Sequence, residues 1–106
     1  MELSKRKCTE LPKGTPKLGP DAIRALLGQV SGWQAAGDRL AKTFTFKDFV
    51  TAMEFLSRVA ELAEREQHHP DFSVHYDKVE FSIWTHSVGG LSENDFILAA
   101  KIDELA

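Results

Sequence analysis

The sequence predicts a single α+β domain in which helices pack on one face of a four-stranded antiparallel sheet. Three observations carry the prediction. Apolar residues recur with a helical period in three separated stretches. Two pairs of short alternating runs, each joined by turn residues, lie between those stretches. A chain of 106 residues, 42% of them hydrophobic, holds one core but not two. The element order is therefore α-β-β-α-β-β-α, a layer of helices on a sheet.

Residues 1–18 carry several lysines, two prolines and a glycine and offer few apolar side chains, so they read as an extended arm. The folded domain then covers residues 19–106. It opens with "GPDAIRALLGQV", where Gly19 can serve as N-cap, Pro20 fits the first turn and Asp21 faces the positive helix end. Ile23, Leu26, Leu27 and Val30 form its buried stripe, and "SGW" ends it. From Trp33 to Phe46 the turn residues Gly37 and Asp38 separate two extended segments, with Leu40, Phe44 and Phe46 on one face of the second. The strongest helix signal is "KDFVTAMEFLSRVAELAEREQ". Its expected core stripe is Phe49, Met53, Leu56, Ala60 and Ala63, widened by Ala52 and Val59.

"DFSVHYDKVEFSIWTH" follows Pro70 as two alternating runs. With Asp77 and Lys78 as a two-residue loop, Tyr76 faces Val79, Val74 faces Phe81 and Phe72 faces Ile83, all on one side. The last stretch, "LSENDFILAAKIDELA", starts at Ser92 as N-cap with Asp95 in the third helical position, and buries Leu98, Ile102 and Leu105. "VGGL", Val88 to Leu91, is too short for a phosphate loop and serves to turn the chain into Ser92.

A formal charge of −3 gives no overall electrostatic reason to bind nucleic acid or an anionic membrane. The short basic run Lys5 to Lys7 reads as solvated. The single cysteine, Cys8, admits no intramolecular disulfide, and no histidine lies near it in sequence to activate it. No apolar run approaches spanning length and no signal peptide is recognised, so a soluble cytoplasmic protein is the expectation.

The chemistry-bearing stretch is "EREQHHPDF", Glu64 to Phe72. Extending the hairpin register places His69 opposite His86. Glu64, His68, His69, Trp84 and His86 can then gather at the sheet edge, giving a carboxylate, imidazoles and an aromatic wall suited to a flat polar heterocycle. Histidine is the usual proton donor or acceptor, and a helix C-terminus favours its protonated form, which predicts general acid catalysis. A metal site is the rival, although neighbours on a regular strand point oppositely. Histidines that only cap and hydrogen-bond are the structural alternative.

The segments "FTFKDFVTAMEFLSRVAELAE", "HHP", "YDKVEFSIWTH" and "GLSENDFILAAKID", in this order, resemble the pterin-4a-carbinolamine dehydratases, also known as dimerisation cofactors of a homeodomain transcription factor. The resemblance spans about Trp33 to Ile102. It implies an α+β subunit that forms dimers or tetramers, and an enzyme that removes water from a 4a-hydroxytetrahydropterin. The product would be the quinonoid dihydropterin recycled for aromatic amino acid hydroxylases, and no metal or organic cofactor is needed. Residue by residue, His68 and His86 match the family's acid/base pair and His69 a mainly substrate-binding histidine. The pterin-contacting stretches match His68, His69, Pro70 and Thr85, His86, Ser87, Val88. Glu64, Asp95 and Trp33 match supporting positions, Trp33 as part of the site wall. Phe72 stands where animal members often carry Trp, and Ser87 with Val88 replaces a more polar pair. The resemblance leaves open a non-catalytic oligomerisation partner of a hydroxylase or transcription factor, and action on another pterin, as in molybdenum-cofactor metabolism.

Overall fold

A computed structural model of the chain describes residues 2–106. Its elements are α1 (Pro20–Leu27), β1 (Gln34–Ala36), β2 (Arg39–Thr45), α2 (Phe49–Glu66), β3 (Asp71–His75), β4 (Lys78–Ile83) and α3 (Glu93–Leu105). Short 3₁₀ turns occupy Leu3–Lys5 and His86–Val88. The sheet is antiparallel with both hairpins as expected, and its strand order is β1-β2-β4-β3. Leu40, Phe44, Val79, Phe81 and Ile83 point into one core with buried residues of α2 and α3. Arg39, Lys78 and Glu80 on the other face are exposed.

The arm is irregular over most of its length but packed. Leu3 and Cys8 are buried in the common core, and the Leu18 N–H reaches the Leu91 carbonyl at 2.8 Å. Few apolar residues suffice because these two land on α3 and the end of α2. Gly19 and Pro20 start α1 as expected. The helix stops at Gly28, before "SGW", and its last carbonyls are closed by tighter bonds from Gln29 and Val30. Val30 lies beyond the helix yet still packs on the core.

Asp48 caps α2 by accepting the Thr51 N–H at 2.8 Å. Those Thr51 hydrogen bonds hold its carboxyl below the usual range. The buried stripe of α2 is Ala52, Phe55, Leu56, Val59, Leu62, Ala63 and Glu66. The helix is thus rotated from the expected stripe: Phe49 and Met53 are 47% and 41% exposed, and Ala60 is exposed too. Both stripes satisfy helical spacing. The aromatic cluster decides between them, because Phe55 packs against Phe44 and Phe46 at centroid distances of 5.2 and 4.8 Å.

The β3–β4 register differs from the expected one by two residues. Val74 faces Val79 and Phe72 faces Phe81, and the turn is Tyr76-Asp77, with Tyr76 at φ +56°. The Asp77 carbonyl accepts the Phe46 N–H at 2.8 Å, which pins this turn to the end of β2. A two-residue slip preserves which face each side chain occupies, so Val79, Phe81 and Ile83 are buried as expected, while Phe72 at the sheet edge is 53% exposed and Tyr76 moves into the turn at 67% exposure. The slip removes the basis for pairing His69 with His86.

Ser92 and Asp95 form the expected capping box of α3. Leu98 and Ile102 are buried and Leu105 is partly so. Gly89, at φ +69°, adopts a left-handed backbone that glycine accepts without strain. The chain can thereby reverse so that Thr85 pairs with Gly90.

Candidate active site

Gln67 ends α2 in the left-handed conformation, at φ +53°. The N–H groups of Gln67 and His68 both reach the Ala63 carbonyl, closing the helix end around its left-handed residue. Its side chain adds a bond to the Glu64 carbonyl at 2.6 Å. This closure turns the chain abruptly, so His68 and His69 leave the helix in different directions.

His68 turns inward. Its Nε2 lies 2.6 Å from Oδ1 of Asp95, whose side chain is wholly buried. The other Asp95 oxygen accepts the Thr85 hydroxyl and the Ser92 N–H, each at 2.8 Å. The Ser92 hydroxyl oxygen accepts the Asp95 N–H within the capping box and lies 2.8 Å from Thr85 Oγ1. With the Thr85 proton given to Asp95, Ser92 donates to Thr85. Each side-chain oxygen of this Asp95–Thr85–Ser92 network is satisfied, which such a network requires. The carboxylate fixes the proton of His68 on Nε2 and leaves Nδ1 for other partners.

His69 turns outward, its Nε2 2.6 Å from Oε2 of Glu64, with both side chains largely exposed. Glu64 therefore orients His69 rather than His68, which lies a helical turn after it. Pro70 is partly buried and leads into β3. His86 opens the 3₁₀ turn directly after Thr85, whose hydroxyl bonds the Asp95 carboxylate that also meets His68. The His86 ring lies against the Trp84 indole, centroids 3.9 Å apart and planes at 41°. Arg39 lies over the same indole at 4.9 Å and bonds Asp71 at 3.1 Å and Ser82 at 3.0 Å. The indole N–H of Trp84 is buried and without a partner among the described residues.

Thr85 is buried and faces Asp95, while Ser87 is exposed and Val88 partly so. Trp33 is elsewhere. Its indole N–H bonds Asp103 at 3.1 Å and its rings pack on Phe44 and Phe81. Asp103 is about 12 Å along α3 from Asp95 at the helical rise per residue. Trp33 belongs to the core of this chain rather than to the site wall. Among the described residues no three His, Cys, Asp or Glu side chains converge as a metal would need. The Cys8 thiol is pushed up to about 12, by burial first and by Glu66 second, so it is protonated and unreactive at neutral pH.

Arg39 and Asp71 escape sequence reasoning, since only the observed register brings β2, β3 and Trp84 together. Glu66 and Asn94 escape it too: both are polar, buried at helix ends and bonded to the arm.

Comparison with known proteins gives a consistent picture. The sequence profile described as "Pterin 4 alpha carbinolamine dehydratase" matches residues 16–105. A relative from Nitrosomonas europaea, provisionally named a pterin-4-alpha-carbinolamine dehydratase, is 44% identical over 105 residues, covering 98% of this chain and 93% of its own. One from Stenotrophomonas maltophilia, provisionally named likewise, is 45% identical over 105 residues, covering 97% and 90%. The crystal structure of a "transcriptional coactivator/pterin dehydratase" from Brucella melitensis superposes with a TM-score of 0.82 at 33% identity, covering 85% of this chain and 98% of that one.

Proposed function

Because the chain belongs to the pterin 4 alpha carbinolamine dehydratase family, we propose that it dehydrates a 4a-hydroxytetrahydropterin to the quinonoid dihydropterin by histidine acid/base catalysis. The observation that carries the reading is the 2.6 Å bond between His68 and the fully buried Asp95. A carboxylate behind an imidazole fixes its tautomer and stabilises the cation formed when it takes a proton. His68 is accordingly the base that removes the ring-nitrogen proton. His86, its ring held against the indole of Trp84, is the acid that protonates the departing 4a-hydroxyl. The ring-nitrogen lone pair forms the new C=N bond as the C4a–O bond breaks, and water leaves. Each proton transfer is worth on the order of 10²- to 10⁴-fold.

His69, Pro70, Ser87 and Val88 supply rim contacts to the pterin, with Glu64 orienting His69 and Thr85 acting through Asp95. No metal or organic cofactor enters this mechanism. Tetrahydropterin recycling for an aromatic amino acid hydroxylase in the cytoplasm is the setting that the proposed activity fits. The test is the dehydration rate of freshly generated 4a-hydroxytetrahydropterin. Wild type should outpace buffer, and His68→Ala and His86→Ala should each lose most of the acceleration. A wild-type rate equal to buffer, or two fully active variants, overturns the reading.

A second reading, assembly into a homodimer or homotetramer with a regulatory role, is favoured by exposed apolar residues. Phe49, Val50 and Met53 on α2 and Phe72 on the edge strand β3 all lie 41–65% exposed, more than a solitary small subunit usually leaves together. Sedimentation at micromolar concentration should give a species larger than a monomer.

A further inference from the structure

We propose that the N-terminal arm is a strap that sets the spacing of the His68–Asp95 pair, with Glu66 and Asn94 as positioning residues; this rests on the function proposed above. His68 follows α2 and Asp95 opens α3, 27 residues later. Glu66, two residues before His68, and Asn94, directly before Asp95, are buried, and both turn toward the arm instead of the site.

Two consecutive arm residues hold them. The Cys8 N–H donates to Glu66 Oε1 at 2.8 Å. The Thr9 N–H donates to Asn94 Oδ1 at 3.1 Å, and the Asn94 amide returns a bond to the Thr9 carbonyl at 2.8 Å. The Cys8 thiol reaches the Asn94 carbonyl at 3.5 Å. Lys101 of α3 lies 3.6 Å from the second Glu66 oxygen, and Arg6 pairs with Glu93 at the start of α3. One short stretch of arm thus bridges the residues flanking both members of the pair.

The chemistry of the bridge argues for positioning. Apolar residues at 66 and 94 would serve stability alone, whereas burying polar groups costs free energy unless each is bonded. What directional bonds add is a fixed distance between the two helix ends, and a misplacement of about 1 Å in a catalytic pair costs up to 10²-fold in rate. Burial opposes the Glu66 charge. The Cys8 N–H and the Lys101 and Lys7 ammonium groups outweigh it and hold the carboxyl below its usual range, so the strap stays charged and fastened at neutral pH.

The full chain is tested as wild type, Asn94→Ala, Glu66→Ala and Glu66→Gln. Turnover is read together with melting temperature and the NMR resonance of the His68 Nε2 proton. In the alanine variants kcat should fall on the order of ten- to hundred-fold with KM within about two-fold of wild type. The His68 resonance should broaden at temperatures where circular dichroism stays native. Glu66→Gln keeps an acceptor for the Cys8 N–H and should restore both. Alanine variants with wild-type kcat and an unchanged resonance overturn the proposal, as does a Glu66→Gln variant as impaired as Glu66→Ala. Should Glu66→Ala fail to fold, Asn94→Ala, which leaves the Glu66–Lys101 pair intact, decides alone. If wild type shows no dehydration the catalytic reading fails, and the His68 resonance by itself judges the strap.

Discussion

His68 and His69 are neighbours in the chain, and each holds a carboxylate oxygen 2.6 Å from its Nε2. The two pairs are otherwise unlike. In the first, the side chains are 13% and 0% exposed; in the second, 57% and 73%. Asp95 is further bound by Thr85 and Ser92, whereas among the described residues no other bond anchors the Glu64 carboxylate. Equal distances therefore conceal unequal worth. An exposed pair gains little over water and is screened by salt, while a buried one cannot lose a partner without stranding charge and hydrogen bonds.

Breaking the inner pair should have the largest effect. Asp95→Ala leaves His68, Thr85 and the Ser92 N–H without their acceptor. A stability loss of about 3–5 kcal/mol is expected in urea unfolding, with kcat down on the order of 10²- to 10⁴-fold. Asp95→Asn sharpens this result, because it keeps a capping oxygen but presents the wrong partner to His68. It should recover more stability than activity. An Asp95→Asn enzyme with wild-type kcat would show that Asp95 only caps a helix.

The aromatic partner of His86 comes next. Trp84→Ala should lower kcat/KM by about three- to ten-fold, the worth of an aromatic contact, and Trp84→Phe should restore most of it. Smaller still is Glu64→Gln, expected to change melting stability by no more than about 0.5 kcal/mol and turnover by less than about three-fold. An effect as large as that of Asp95→Asn would erase the contrast between the pairs.

The strap extends the comparison to pH. The Cys8 thiol is raised from 9.0 to about 12, so the native state favours the protonated form. Its contribution to stability is complete below about pH 9 and is lost as pH rises through 12. Urea midpoints for wild type should fall across that window more steeply than for Cys8→Ala. Glu66 is shifted downward and has the opposite sense: its contribution is present above the ordinary glutamate range and fades as pH drops through the lowered value.

Much of this was legible in the sequence, because hydrophobic period and turn chemistry are local. Gly19-Pro20, Gly37-Asp38 and Ser92 with Asp95 each mark an element boundary on their own. What escaped depends on contacts between distant segments. The α2 stripe was ambiguous until Phe55 met Phe44 and Phe46. The hairpin slipped by two residues because the Asp77 carbonyl engages Phe46, a contact the hairpin itself does not encode. Asp95 reads locally as a helix cap, and its bond to His68 across 27 residues leaves no periodic trace. Trp33 resembles a site residue by its place in the chain, yet Asp103 and Phe81 claim it for the core.

The strand order also bears on how the chain reaches its native state. β1–β2 and β3–β4 are local hairpins, but β2 pairs with β4 across the whole of α2, joining Leu40 to Ile83 and Thr45 to Lys78. Closing so long a loop is slow, because chain entropy is lost before the contacts that offset it form. His68 lies inside that loop, while Asp95 lies beyond it. A working site needs these long-range contacts in place whereas helix signal is local, so recovery of turnover during refolding should lag behind recovery of helix signal.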